Sequence, residues 1–207
     1  AKTNGTISQG IRYNESRFIK ETNRQGVQAY IWLKIFLPKI EFMNAEVSPN
    51  TERYSLTIIK PDAFRDHLSQ QIIADLEESG LAVVYRKEMR LEAYEAEATY
   101  EEHRGSLNFP YIVGSLLLQN NQGEQYPCML LVLKAEVGNA LEINIKIKGK
   151  GDKTGIRAKY RFYSWHELGE KGYQGQVQSM MFSRNRLHVP DNHNRMIEIL
   201  GLLLTEN

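Results

Sequence analysis

The sequence predicts an α+β protein in which helices cover an antiparallel sheet. Short segments rich in β-branched and apolar residues are typical of strands, and segments with helical periodicity lie between them. The chain has 207 residues, of which 42% are hydrophobic and 25% charged, as in ordinary globular domains. This length suits one domain with an extension.

Four segments are predicted as strands. Residues 54–59 are β-branched and end before Pro61, and residues 81–85 are similarly apolar. Residues 128–133 are apolar throughout, which predicts a strand buried on both faces. Residues 156–162 alternate with polar side chains and are predicted as the fourth strand.

Helices are predicted between and after these strands. Leu68, Ile72, Ile73 and Leu76 share one helical face, and Gly80 suits a C-terminal cap. Further helices are predicted over residues 91–103, 109–118 and 192–203, whereas residues 140–146 fit a helix or a strand. Residues 163–181, rich in Gly and Gln, are predicted as a loop.

The domain organisation is predicted from a change in composition. Residues 1–51 form an N-terminal extension, polar at first and then carrying one apolar docking segment at residues 30–37. Residues 52–207 form the domain, with a long insertion around residues 161–181. No apolar run approaches the ~18–20 residues that span a bilayer, so we expect no membrane association.

Composition excludes several classes of protein. With 26 Lys and Arg against 25 Asp and Glu, the chain is neither strongly acidic nor strongly basic. The single cysteine, Cys128, excludes an internal disulfide and a cysteine-based zinc site. We therefore expect a reducing compartment, the cytoplasm.

Positive charge is concentrated in residues 144–173, which hold eight basic and three acidic residues. Such a segment suits phosphate binding, although a solvated surface explains it equally well. Nucleic acid is not the expected partner, because the whole chain is almost neutral and has no RNA-binding aromatic motif.

Two kinds of residue are candidates for chemistry. Lys60 directly follows a predicted strand, where its ammonium can be held in a site. Of the five histidines, His188 precedes the last predicted helix, and a neutral imidazole can attack phosphorus when one ring nitrogen is free. No pair of histidines has metal-ligand spacing on a helix, so we predict no metal site made of protein ligands.

An ordered set of segments begins with residues 52–63, which include Lys60-Pro61-Asp62. The others are residues 100–105, residues 155–158, the segment Asn185-Arg186-Leu187-His188, and Glu198-Ile199. Together, in this order, these segments resemble the nucleoside diphosphate kinase family. The resemblance covers about residues 52–200, and the ordered set is more specific than any single segment.

The resemblance implies a ferredoxin-like βαββαβ sandwich and a reaction. The family moves the γ-phosphoryl group of a nucleoside triphosphate to a histidine and then to a nucleoside diphosphate. By this match His188 is the nucleophile, in a ping-pong mechanism with a phosphohistidine. Glu198 accepts a hydrogen bond from the other ring nitrogen of His188, and Lys60 is the third catalytic residue.

The resemblance also implies the ligands and the assembly. Mg²⁺ accompanies the nucleoside triphosphate and bridges its phosphates without a protein cage, and Asp191 is the carboxylate nearest to His188 in sequence. The family forms homo-oligomers, so a hexamer or a smaller assembly is expected. The implied nucleotide-binding residues are Lys60, Tyr100, Asn108, Phe109, Ile112, Arg157 and Asn185.

The chain also departs from the family pattern. Ile145 stands where a phosphate-binding arginine is expected, with Lys146 beside it as a possible substitute. Gly151 replaces a loop threonine, and Asn108 replaces the ring that stacks on the base, with Phe109 next to it. These differences motivate a second hypothesis, a nucleotide-binding or assembly module that has lost efficient transfer.

Overall fold

The computed structural model describes residues 51–150 and 153–204, which form a four-stranded antiparallel sheet. The strands are β1 (Tyr54–Ile59), β2 (Leu81–Met89), β3 (Cys128–Ala135) and β4 (Leu187–His188). They lie in the order β2-β3-β1-β4, and each neighbouring pair is antiparallel. This arrangement, with helices between the strands, confirms the predicted α+β, ferredoxin-like fold.

Helices of the described residues flank the sheet, and two 3₁₀-helices cover Thr51–Arg53 and Glu101–His103. The α-helices are α1 (Pro61–Arg65), α2 (Ser69–Glu78), α3 (Ala93–Thr99), α4 (Phe109–Gly114), α5 (Ala140–Lys148), α6 (Gly155–Lys159), α7 (Trp165–Glu170), α8 (Gly175–Phe182) and α9 (His193–Leu204).

The two faces of the sheet carry separate apolar clusters, because side chains alternate along each strand. On one face Leu56 and Ile58 of β1 and Leu130 of β3 pack with residues of α9. On the other face Ile59 and Leu131 pack with residues of α2, α5 and α6. Helices therefore cover both faces, and the predicted burial of β3 on both sides is confirmed.

Two polar side chains of β1 point into the second face and are hydrogen-bonded there. The side-chain amide of Asn144 in α5 donates to Ser55 Oγ at 2.7 Å and to the Leu56 carbonyl at 3.1 Å. Thr57 Oγ1 lies 3.1 Å from Asn144 Oδ1. Because buried polar groups are costly without partners, Asn144 fixes α5 against β1.

The predicted fourth strand over residues 156–162 is wrong, because Gly155–Lys159 is helix α6. Ile156 is buried and Tyr160 packs against the same cluster. A spacing of four residues puts two side chains on one side of either a strand or a helix, so the pattern did not distinguish them. The fourth strand is instead the short β4, which contains His188.

The predicted loop over residues 163–181 is also wrong, since it contains α7 and most of α8. Ser164 Oγ accepts from the Glu167 backbone N–H at 3.1 Å, and the Glu167 carboxylate accepts from the Ser164 N–H at 2.7 Å. This capping box starts α7 despite the glycines around it. Residues 140–146, for which the sequence fitted a helix or a strand, belong to helix α5, and Asn139 caps its N-terminus.

Other sequence expectations agree with the structure. Helix α2 buries Ile72, Ile73 and Leu76, and Gly80 follows it with φ of 86°. Among the helices described, none combines the length and apolarity needed to cross a bilayer. The predicted docking segment at residues 30–37 lies outside the described residues.

Candidate functional site

The pairing of β1 with β4 brings the two main candidate residues to one edge of the sheet. His188 pairs with Ile58, two residues before Lys60. The Lys60 backbone N–H donates to the Arg186 carbonyl at 2.8 Å. Residues distant in sequence are thus held side by side by backbone hydrogen bonds.

Lys60 ends β1 and precedes Pro61, the first residue of α1. Its side chain is only 1% exposed. Its ammonium donates to the Ser183 carbonyl at 2.9 Å and to Asn185 Oδ1 at 3.1 Å. Burial lowers the pKa of Lys60 to about 7, while the charge of Asp62 opposes that shift.

His188 is buried, and its ring meets the edge of the Tyr100 ring at a centroid distance of 4.6 Å. Within residues 51–150 and 153–204, its Nε2 atom has no hydrogen-bond partner. Burial lowers the pKa of His188 well below its ordinary value, and four nearby positive charges lower it further. They belong to Lys60, Lys148, Arg157 and Arg195. The imidazole is therefore neutral at neutral pH.

Arg157 joins this group from the last turn of α6. Its Nη2 donates to the Leu187 carbonyl at 3.1 Å, while its buried Nε has no partner among the described residues. Burial lowers the pKa of the Arg157 guanidinium, although it remains charged at neutral pH. Tyr100 lies 5.5 Å from Lys60 Nζ, measured to the ring centroid, and burial raises the pKa of its phenol.

Arg186 fixes the segment that precedes β4, and sequence reasoning gave it no role. It adopts a positive φ of 75° and is 3% exposed. Its Nη1 lies 2.6 Å from Asp66 Oδ2 and 3.4 Å from Asp62 Oδ2. These contacts tie the segment to α1 and so place Asn185 and His188 beside Lys60.

The structure does not bring Glu198 to His188 as the sequence led us to expect. Glu198 is exposed on α9, and its Oε2 lies 2.6 Å from Arg195 Nη1. Matching Glu198 to the glutamate of the family pattern requires a gap of one residue, and a shift of one residue rotates a helix position by about 100°. No hydrogen bond between Glu198 and His188 occurs in the described part of the chain.

Three of the implied nucleotide-binding residues lie apart from Lys60 and His188, at the start of α4. Asn108 is exposed, whereas Phe109 and Ile112 are half-buried at the edge of the first apolar cluster. The Arg104 guanidinium lies 5.4 Å from the centroid of the Phe109 ring. Helix α4 packs against α3, which ends beside Tyr100, and against α8.

Two cations of the site were missed by sequence reasoning. Lys148 Nζ lies 3.3 Å from the Val189 carbonyl and 3.7 Å from Asp191 Oδ1. Arg195 Nε lies 2.9 Å from Glu102 Oε2. Lys148 belongs to the basic segment that the sequence singled out, but Lys146, the expected substitute, is exposed.

Glu102, His103 and Asp191 offer the atoms that could hold a divalent cation. One ligand atom from each lies within 4.8 Å of the others, and all three residues are exposed. Carboxylate oxygens open to solvent fit Mg²⁺, which also takes phosphate oxygens and water. Sequence spacing did not reveal this set because Asp191 is distant from the other two residues in the chain.

The loop between α5 and α6 is closed at its base by two glycines. Gly149 has φ of 78° and Gly155 φ of 68°. A Cβ atom on Gly155 would collide with the Ile147 carbonyl oxygen, and one on Gly149 would collide with the Thr154 carbonyl. The backbones approach closely there, which keeps α6 and Arg157 next to the end of α5. Gly151 lies outside the described residues.

Sequence relatives carry a consistent name. A protein from Psychromonas ingrahamii named nucleoside diphosphate kinase is 36% identical over 100 residues, which cover 48% of this chain and 63% of the relative. One from Rickettsia akari with the same name is 39% identical over 79 residues, covering 36% and 56%. The matches thus span less than two thirds of these relatives' length.

Solved structures share the fold. A nucleoside diphosphate kinase from Borrelia burgdorferi, a transition state mimic with bound vanadate and ADP, has a TM-score of 0.56 and 18% identity, covering 74% of this chain and 87% of the other. An apo nucleoside diphosphate kinase from Encephalitozoon cuniculi also has a TM-score of 0.56 and 18% identity, covering 74% and 90%.

The sequence model of the family described as nucleoside diphosphate kinase matches residues 53–205. That range includes every residue of the buried group around His188 and leaves out the N-terminal 52 residues. Since the match covers most of the chain, this protein belongs to the nucleoside diphosphate kinase family.

Proposed function

We propose that this protein transfers the γ-phosphoryl group of a nucleoside triphosphate to a nucleoside diphosphate through a phosphohistidine on His188. The observation that carries the proposal is a buried, neutral imidazole with four basic side chains near it, those of Lys60, Lys148, Arg157 and Arg195. A neutral ring has an unprotonated nitrogen that can attack phosphorus, and the cations suit the phosphate oxygens of a nucleotide.

In the first half-reaction, an unprotonated nitrogen of His188 forms a bond to the γ-phosphorus. The bond from that phosphorus to the oxygen bridging the β- and γ-phosphates breaks, and the diphosphate leaves with the electron pair. A second nucleoside diphosphate attacks the phosphohistidine in reverse, which restores the neutral ring. The order of these events gives ping-pong kinetics.

The other residues of the buried group bind and orient the nucleotide in this proposal. Lys60 and Arg157 donate to phosphate oxygens, and Asn185 holds the Lys60 ammonium at 3.1 Å. Tyr100 packs its ring on His188 and restricts the orientation of the imidazole. Asn108, Phe109 and Ile112 remain candidate contacts for the base and ribose.

Mg²⁺ would neutralise charge on the phosphate oxygens when bound. The residues that would hold it are Glu102, His103 and Asp191, two of which already contact a cation of the site. Self-association into a hexamer or a smaller oligomer and a cytoplasmic location are part of the same proposal, drawn from the family resemblance. Light scattering after size exclusion tests the first and cell fractionation the second.

One observation favours a second candidate, nucleotide binding without efficient transfer. The described residues give His188 Nε2 no acceptor, and Glu198 pairs with Arg195 instead. A ring without an acceptor on one nitrogen is held in its tautomer less firmly, which weakens the nucleophile. This candidate predicts diphosphate binding without phosphohistidine.

The test is intact-protein mass spectrometry after incubation with ATP and magnesium. We expect the parent protein to gain one acid-labile phosphoryl group and lose it on addition of a nucleoside diphosphate. His188→Ala should show no gain, while His166→Ala, a change at an exposed position of α7, should behave like the parent. A folded parent protein that binds ADP but never gains the group would support the second candidate.

A further inference from the structure

Lys148 occupies the last position of α5 and reaches the nucleotide site from there. Its side chain is 11% exposed. Its ammonium contacts the Val189 carbonyl at 3.3 Å, on the residue that follows His188. Lys146 lies two positions earlier and is exposed, since two residues rotate a side chain by about 200° around a helix.

Lys148 adds positive charge to the surroundings of His188, where other basic side chains already lie. Its charge and that of Arg157 both lower the pKa of His188, and Arg157 also lowers the pKa of Lys148. Asp191 opposes this repulsion at 3.7 Å, but its carboxylate is 63% exposed and so is largely screened by water. Cations that repel one another at a partly buried site favour a bound anion.

The hydrogen-bonding capacity of Lys148 fits that anion. An ammonium has three N–H donors. One donates to the Val189 carbonyl, and Asp191 Oδ1 lies 3.7 Å from Nζ, which is too far for a strong hydrogen bond. A donor remains for a phosphate oxygen.

We infer that Lys148 is a phosphate-binding residue of the nucleotide site, donating from the end of α5 to phosphate oxygens that Lys60 and Arg157 also bind in the proposed function. The inference rests on the proposed function for the identity of the anion, a nucleoside di- or triphosphate. It assigns to Lys148 the compensating role that the sequence suggested for Lys146.

Calorimetric titration with ADP tests the inference on the full chain. Lys148→Met should raise the dissociation constant for ADP about tenfold, the effect of losing one hydrogen bond from a charged donor. Lys148→Arg should recover most of the affinity, and Lys146→Met should bind ADP like the parent. If Lys148→Met does not fold, Lys148→Gln removes the charge and keeps a donor for the Val189 carbonyl.

Binding of inorganic tripolyphosphate and of adenosine shows whether Lys148 contacts phosphate or only positions Val189 and Asp191. If Lys148 contacts phosphate, Lys148→Met binds tripolyphosphate more weakly than the parent protein does and binds adenosine equally well, and that result supports the inference. Equal losses for both probes, or unchanged ADP binding in Lys148→Met, overturn it, as does a folded parent protein that does not bind ADP.

Failure of the Lys148 inference can be distinguished from failure of the proposed transfer reaction. If ADP binding depends on Lys148 and His188 is never phosphorylated, the inference stands and the transfer reaction is rejected. If His188 is phosphorylated equally well in the parent and Lys148→Met, and both bind ADP equally, the transfer reaction stands and the inference is rejected.

Discussion

At the scale of single residues, burial determines the protonation of the site. Lys60 and His188 are both basic groups that lose hydration, so each favours its neutral form. For His188 this leaves an unprotonated nitrogen, as the proposed attack on phosphorus requires. For Lys60 it means that the charge needed to bind phosphate is only partly present at neutral pH in the free protein.

A bound diphosphate should therefore change the protonation of Lys60. Its pKa is about 7 in the free protein, so at about pH 8 the amine is mostly neutral. A phosphate oxygen nearby favours the ammonium and raises the pKa, so binding of ADP takes up close to one proton. Calorimetry at that pH in two buffers of different ionisation enthalpy measures the uptake.

Lys60→Arg is the control, since a guanidinium stays charged in both states and takes up no proton. The uptake should also decrease when the titration is repeated below the pKa of Lys60, where the free protein is already protonated. A binding enthalpy that is identical in both buffers near pH 8 would contradict this account of the site.

At this scale the sequence predicted the residues of the candidate site better than the contacts between them. Lys60, Tyr100, Arg157, Asn185 and His188 meet in one group because β1 pairs with β4 and Arg157 of α6 reaches the Leu187 carbonyl. Lys60, Tyr100 and His188 are buried in this group, whereas Arg157 and Asn185 are half-buried. Lys148 and Arg195 were missed because their proximity depends on how α5 ends and α9 begins near His188, which no local pattern records.

At the scale of elements, the sequence predicted structure where the local signal fits only one kind of element. The β-branched residues before Pro61 indicate strand β1, the apolar helical face indicates helix α2, and both were predicted. Helix α6 was predicted as a strand because Ile156 and Tyr160, four residues apart, satisfy either period. Helix α7 carries a readable signal, the serine and glutamate of a capping box, that the composition of its surroundings obscured.

The glycine at the start of α6 offers a test at this scale. Gly155→Ala places a methyl group against the Ile147 carbonyl in a backbone conformation that L-residues avoid. We expect unfolding in urea to show a loss of about 3 kcal/mol or more, and ADP affinity to fall because Arg157 moves with α6.

Gly172→Ala is the matched control for this change. Gly172 has φ of 80°, similar to Gly155, but nothing lies near the position of an added Cβ. Gly172→Ala should lower the free energy of unfolding by only about 1 kcal/mol, the cost of a positive φ for alanine, and should keep its affinity for ADP. Equal losses in the two variants would show that close approach at the loop base is unimportant.

At the scale of the whole molecule, burial is distributed unevenly between the sheet and helices α7 and α8. Strands β1 and β3 are buried almost throughout, between two apolar clusters. Helix α7 buries only Leu168, and α8 buries no residue. Yet α8 leads directly to Ser183 and Asn185, whose oxygens accept from the Lys60 ammonium, so the least buried helices are attached to the binding site.

Hydrogen exchange should detect this coupling. In the free protein we expect the amides of α7 and α8 to exchange through local opening, well before those of β1 and β3. Binding of ADP fixes Lys60 and with it the Ser183 carbonyl, so exchange in α8 should slow while exchange in β2, remote from the ligand, changes little. Protection of α8 equal to that of β3 in the free protein, or uniform slowing of all elements by ADP, would show instead that the chain opens as one unit. Mass spectrometry of peptic peptides covering residues 165–182, 54–59, 81–89 and 128–135 makes both comparisons directly.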